Sequence, residues 1–375
     1  MHNLRLAGPV LARLGNSVAV RIRFHCVHIP ECAIRSHQSE MKSQARSQSL
    51  RGFGRLIAGL VLLLISVVGV ASAADATSKK WSTPVEIEGQ IPAGGSLNLS
   101  EVSCSSSTFC VAVDSLGAAL FWHGSNWSGH HHVNANGSLD SVSCPSTTYC
   151  VVVSDAGKAV TYNGGAWTPS KTIGPEDSYR ISCPSVSFCA AVGANGLPGK
   201  PSTIATFNGH SWSSHLTSTS GKLNDRLLGV SCASATYCVA VNYNGQILNF
   251  NGSRWSAIPT LGPKGLTSVS CASSSFCLAV TASGESIVIH RTKWSGTATI
   301  PGFQGGFAYS VSCASSRDCV VAGLDGQIDT WLAGKWSKPV KVFAGRFNAL
   351  VSTSCSHKGY CMVITSSGKS SFINQ

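Results

Sequence analysis

Seven pairs of cysteines carry the first chemistry this sequence offers. They are Cys104/Cys110, Cys144/Cys150, Cys183/Cys189, Cys232/Cys238, Cys271/Cys277, Cys313/Cys319 and Cys355/Cys361, with five residues inside each pair. Thiols so placed can serve a disulfide, a metal or a redox cycle. A redox pair more often has two intervening residues, and two thiolates leave tetrahedral zinc two ligands short. An even, periodic set is the pattern of a disulfide framework in an oxidising compartment, so local bridges within each pair are expected. Cys26 and Cys32 stand apart with His25 and His28. That cluster lacks a second knuckle of ligands, and no metal site is expected there.

A second set of candidates comes from departures within the repeat. The position three before the first cysteine is Ser or Gly in five units, but Glu101 in the first and Arg180 in the third. One residue earlier stand Asp140, Tyr179 and Tyr309, and Arg226 and Arg346 lie in the same kind of loop. Mixed charge with aromatic rings suits a sugar or a peptide. Glu101, Asp140, Tyr179, Arg180, Arg226 and Tyr309 are therefore the expected ligand contacts, against the alternative of ordinary solvated loop residues. Enzyme chemistry has less to stand on. Glycoside hydrolysis needs two carboxylates at a defined separation, whereas acids are scarce and several (Asp114, Asp155, Asp325) fall in turns. No P-loop, dinucleotide fingerprint, His-Glu-x-x-His or Gly-x-Ser-x-Gly elbow occurs. No catalytic residue, cofactor or metal is expected. His130-His131-His132 would place two imidazoles on one face of a strand, and an exposed polar edge is the reading preferred.

The elements that must hold these residues are legible from the period. First cysteines follow one another at steps of 40, 39, 49, 39, 42 and 42 residues, a spacing typical of propeller blades. In the second unit a strand ends at Cys144, and Val151-Val152-Val153 starts another. Ala159 to Tyr162 reads as a third, and Trp167 opens a fourth after the Asn163-Gly164 turn. The tryptophan recurs as Trp127, Trp212, Trp255, Trp294 and Trp336. Four strands per unit, seven times, predict an all-β, seven-bladed β-propeller over residues 80–375. The seventh unit lacks its Trp strand, while a spare one, Lys80-Trp81-Ser82-Thr83-Pro84, precedes the first. The N-terminal strand around Trp81 is therefore expected to complete the last blade, leaving no large exposed edge.

These repeats resemble the BNR, or Asp-box, repeats of sialidase-like propellers and of the photosystem II assembly-factor propeller. The Ser-x-Asp-x-Gly-x-x-Trp box survives only in forms such as Tyr162-Asn163-Gly164-Gly165-Ala166-Trp167, and the cysteine pair is an addition. The chain is also similar to secreted bacterial propellers with Ser-Cys-x5-Cys-Val-Ala-Val repeats. The resemblance implies a fold and no particular chemistry, with a sialidase-like glycoside hydrolase as the alternative function to a binding module.

Charge and leader sequence bound the compartment. The formal charge of +12 is concentrated in residues 1–73, where nine Lys/Arg face only Glu31 and Glu40. The remainder is spread thinly over the repeats, so no nucleic-acid partner is expected. Residues 41–73 read as a signal peptide: a basic start, the apolar run Leu56 to Val70, and Ala71-Ser72-Ala73 as cleavage site. An uncleaved anchor through residues 56–70 is the alternative. Residues 1–40 are expected to be an extension upstream of a true start at Met41, and 74–79 a linker. The expectation is a secreted monomer, not stably inserted in a membrane, that recognises an extracellular glycan, cell-wall component or protein.

Overall fold

A computed structural model describes residues 80–87, 98–175, 177–194, 202–216, 226–259, 261–304, 306–343, 349–356 and 359–374. The upstream stretch, the expected signal segment and the linker lie outside them, as do Cys26, Cys32 and Arg346. Every cysteine unit becomes one antiparallel sheet of four strands, five where the outer strand is split, giving seven blades. The innermost strands are Leu99–Ser106, Leu139–Ser146, Ser178–Ser185, Leu227–Ser234, Leu266–Ser273, Ala308–Ser315 and Leu350–Cys355, here blades 1 to 7. A single 3-10 turn, Pro301–Phe303, is the only helical element among the described residues.

Valine-rich second strands explain why the blades stack. Val151, Val152 and Val153 are 1%, 0% and 0% exposed, since alternate side chains go to opposite neighbours and both neighbours are blades. Burying each such side chain is worth about 1.5–3 kcal/mol. The core is accordingly seven layers between blades rather than one centre. Val102, Leu120 and Trp122 of blade 1 pack on Tyr360, Met362 and Ile364 of blade 7, which closes the circle.

The outer strand of blade 7 is Val85–Glu86, antiparallel to Lys369–Asn374 in the register Val85 to Ser370. Trp81 is 9% exposed and packs with Val320, Ile328, Phe343 and Ile373, between blades 6 and 7. Tight turns join second to third strands. Gly284 has φ of 81°, and a Cβ there would overlap the Phe303 carbonyl, so only glycine fits.

All seven cysteine pairs are disulfides within their own repeat. Blades 1 to 4 hold Cys104–Cys110, Cys144–Cys150, Cys183–Cys189 and Cys232–Cys238. Blades 5 to 7 hold Cys271–Cys277, Cys313–Cys319 and Cys355–Cys361. Their Cα separations run from 3.9 to 4.1 Å. In blade 1 Cys104 sits directly opposite Cys110 in the ladder, and in blade 5 Cys271 opposite Cys277. So close an approach belongs to the non-hydrogen-bonded register of an antiparallel pair. The first cysteine's N–H therefore turns away from its own blade, toward the neighbour. That geometry sets up the channel.

Candidate ligand site at the channel mouth

The outward N–H of each first cysteine meets a serine from the preceding blade. Cys144 donates to Ser103 Oγ (2.9 Å), Cys183 to Ser143 (2.9 Å), Cys232 to Ser182 (2.9 Å) and Cys271 to Ser231 (2.8 Å). Cys313 donates to Ser270 (2.9 Å), Cys355 to Ser312 (2.8 Å) and Cys104 to Ser354 (2.8 Å). This lower layer is complete around all seven blades. The serine before each first cysteine is thus a scaffold residue, and its role could have been suspected from its presence in every repeat.

The cysteines themselves stay out of the site. The second member of each pair (Cys110, Cys150, Cys189, Cys238, Cys277, Cys319 and Cys361) is 0% exposed, sealed between blades. No cysteine lines the cavity at the mouth. The bridges are framework, and they offer a ligand no sulfur.

Two residues before each first cysteine the register repeats, and so does the need for an acceptor. Val102 donates to Ser352 Oγ (3.2 Å), Val142 to Glu101 Oε2 (3.2 Å) and Ile181 to Ser141 Oγ (3.1 Å). Val311 donates to Ser268 (3.2 Å) and Thr353 to Ser310 (3.1 Å). Glu101 therefore keeps the serine's structural duty while adding a charge. Blades 3 and 4 carry Arg180 and Gly229 at the acceptor position, and neither side chain can accept. Among the described residues no side chain takes the N–H of Val230 or Val269. Sequence reasoning grouped Gly229 with serine as ordinary, although one accepts a hydrogen bond and the other cannot. The upper layer is broken at two adjacent places.

Nearer the mouth, six blades carry a β-bulge. The ladder slips between Leu99 and Glu101, Leu139 and Ser141, and Leu227 and Gly229. It slips likewise between Leu266 and Ser268, Ala308 and Ser310, and Leu350 and Ser352. A bulge leaves one residue unpaired and re-aims its side chain. Ser100, Asp140, Leu228, Thr267, Tyr309 and Val351 are these residues, and all six line a cavity of about 540 Å³ at the mouth.

Blade 3 has no such slip: Tyr179 pairs regularly with Gly193. Contrary to expectation, Tyr179 does not line the mouth. It is 0% exposed, its hydroxyl donates to the Pro175 carbonyl (3.0 Å), and it packs against Ile181 and Ile173 between blades 2 and 3. Gly193, lacking a Cβ, leaves room for its ring. Arg226 also falls outside the cavity. It is exposed, and its positive charge partly offsets the burial that leaves the Asp177 carboxyl pushed up to about 6. Glu101, Asp140, Arg180 and Tyr309 are the sequence candidates that the fold brings together. Much of the lengthened turn Gly193–Ser202 (residues 195–201) lies outside the described residues.

The mouth has two unlike sectors. Over blades 1 to 3 its charged lining residues are Glu101, Asp140 and Arg180. Arg180 Nη1 donates to the carbonyls of Tyr179 (3.1 Å) and Asp140 (3.4 Å). Burial raises the Glu101 carboxyl, with Arg180 pulling it back. It also pushes Asp140 up to about 6, against the opposing Tyr179 N–H (3.0 Å) and Arg180. Over blades 4 to 6 the lining is uncharged, with Thr267, Ser268 and Ser310 among apolar side chains and Tyr243, Phe307 and Tyr309 at 53%, 53% and 48% exposure. Tyr243 and Phe307 were not singled out from the sequence. Their signal was an aromatic residue in a loop where the repeat has none.

The remaining candidates lie elsewhere. His130 Nε2 is 3.5 Å from Asp114 Oδ2, His131 packs its ring edge on Phe121, and His132 is exposed. No group of three or more potential metal ligands occurs among the described residues. A groove of about 650 Å³ runs between the outer parts of blades 3 and 4, past Phe207, Leu216, Phe250 and Trp255.

Known proteins place the chain by fold. No family model matches it, and no curated protein does. Among solved structures the WD40 β-propeller domain of Doa1 is similar, with a TM-score of 0.62 at 12% identity over 80% of this chain and 98% of that one. YCF48 bound to D1 peptide gives 0.59 at 11% identity, covering 79% and 95%. YCF48 from Cyanidioschyzon merolae gives 0.59 at 11%, covering 78% and 99%. The chain is a seven-bladed β-propeller of four-stranded blades. Identities this low carry the fold and nothing finer.

Proposed function

We propose that this protein is a secreted, non-catalytic binding propeller that takes an extracellular ligand at the upper channel mouth. The observation that carries the reading is the contrast within single strands: the serine before each first cysteine repeats without exception, whereas residues at the mouth diverge blade by blade. Repeats supply rigidity, and function on such scaffolds is placed where the pattern breaks. Seven disulfides favour an oxidising compartment, and no described helix is long and apolar enough to cross a membrane. The YCF48 structure, similar in fold, holds D1 peptide, and a peptide or protein is therefore the ligand class to test first. An array of peptides, glycans and cell-wall fragments tests the reading. Binding should be lost in Tyr309→Ala, whereas binding indifferent to every mouth substitution would count against it.

Glycoside hydrolysis is the second reading, because two carboxyls with raised proton affinity, Glu101 and Asp140, share the mouth. Both, however, accept backbone N–H groups of the next blade, which ties them to the scaffold. Chromogenic glycosides separate the readings: turnover abolished by Glu101→Gln or Asp140→Asn would replace binding with catalysis.

A further inference from the structure

Blade 3 differs from the other blades at its outer rim. In the other six a Gly or Pro follows the outer tryptophan within four residues, as Gly129, Pro169, Pro259, Gly296, Pro339 and Pro84. The outer strands there are pieces of two or three residues. After Trp212 the chain instead reads Ser-Ser-His-Leu, and Trp212–Leu216 runs as one strand of five residues, exposed from Ser213 onward. No described strand pairs with its outer side. Short strands, prolines and lysines are the usual protection of a sheet edge, and this edge has none of them.

The register fixes what the edge presents. Asn208 donates to the Ser211 carbonyl (3.2 Å) across the hairpin turn, and Trp212 then lies opposite Phe207. Bonded and non-bonded pairs alternate along an antiparallel ladder, so Trp212, Ser214 and Leu216 turn their N–H and C=O groups outward. Such a row is the complement of another extended backbone. Beside it runs the groove between blades 3 and 4, where every second side chain of an added strand would point toward Phe250 and Trp255. The ionisable residues lining that groove are His215 and Arg254, and no acid lines it. Arg254 and Trp212 each adjoin a hairpin turn at the same end of their blades.

We propose that the rim of blade 3 is a peptide-docking edge, taking an extended segment as a fifth, antiparallel strand with alternate apolar side chains in the groove and an acidic residue at its C-terminal end beside Arg254. A second copy of the chain fits less well, because Trp212–Leu216 has no acid to offer Arg254. The groove shares no lining residue with the channel mouth, so the inference stands apart from the reading above.

The test titrates the full chain with three peptides, following amide hydrogen exchange and light scattering. They are N-acetyl-Val-Thr-Val-Thr-Val-Glu-amide, the same peptide ending in Lys, and the Glu peptide N-methylated at every Val and Thr. The Glu peptide should slow exchange at Trp212, Ser214 and Leu216 and bind roughly tenfold tighter than the Lys peptide, while the methylated one should not bind. Ser214→Pro removes an outward N–H and no ladder bond, so it should abolish binding with the fold kept. Arg254→Glu should reverse the preference between Glu and Lys, and Tyr309→Ala should change nothing. Equal binding of the methylated peptide, no added protection at the three amides, or indifference to Ser214→Pro overturns the docking edge. Slow exchange at those amides in the free monomer means that the chain covers its own edge, and a doubling of mass that protects them means a second copy does. Either result also overturns the proposal.

Discussion

The lower and upper hydrogen-bond layers of the channel are built by the same seven strands, two residues apart, yet they differ in kind. The lower layer has serine in every blade and closes completely. The upper has serine in four, a substituting carboxylate in one, and two blades where the acceptor is missing. The lower layer lies beside the disulfides and the upper beside the bulges. What separates them is distance from the mouth, which suggests that one holds the circle shut while the other has been released from that duty.

Reduction should break the comparison from below with the largest effect. Each short link contributes about 2 kcal/mol in the chain-entropy model, so full reduction should lower the thermal midpoint by tens of degrees and broaden the transition. Melting with and without reductant measures it.

Next in size is the lower layer itself. Ser231→Ala leaves the Cys271 N–H without its acceptor and should cost about 1–3 kcal/mol in chemical denaturation. Gly229→Ser in the upper layer should cost nothing or stabilise. Equal losses in both would remove the distinction.

A smaller effect comes from acid. Asp140, Asp177 and Asp329 each titrate near 6, raised from 3.8 by burial. A carboxyl whose folded value is raised binds more protons folded than unfolded between about pH 4 and 6. Stability should therefore rise as pH falls from 7 through 6 toward 4, the opposite of an ion-paired carboxylate. Asp140→Asn should flatten that slope and raise stability at pH 7, since Asn can still accept the Tyr179 N–H. Arg180 and Asp155 act on the same carboxyl and stay in place, while Glu101, which the Asp140 charge raises, is relieved of that charge in the variant. An unchanged slope would mean that Asp140 is solvated.

The smallest effect on stability belongs to the aromatic sector. Tyr309→Ala should change the folding free energy by within about 0.5 kcal/mol, as exposed substitutions do, while weakening ligand binding.

The blades, their strands and the cysteine pairing were legible in the sequence because each is written seven times. The surplus N-terminal segment was legible for the same reason, through its match to Lys335-Trp336-Ser337, although the strand that pairs with blade 7 is Val85–Glu86, just past the expected Lys80–Pro84, and Trp81 itself lies outside it. The mouth was legible only in part. Glu101, Asp140, Arg180 and Tyr309 stood out as departures, but departure does not say which way a side chain points. Tyr179 and Asp140 occupy the same repeat position, and the bulge present in blade 2 and absent from blade 3 sends one to the mouth and the other to the core. Gly229 escaped notice because its meaning depends on a hydrogen bond from another blade, 40 residues further on at Val269.

Amide hydrogen exchange at the seven equivalent upper-layer positions tests the broken layer most directly, without any ligand. Val102, Val142, Ile181, Val311 and Thr353 have acceptors, and their N–H groups should exchange slowly. Val230 and Val269 should exchange markedly faster, and Gly229→Ser should slow Val269 alone. Equal protection at all seven positions, or no change at Val269 in the variant, would contradict it.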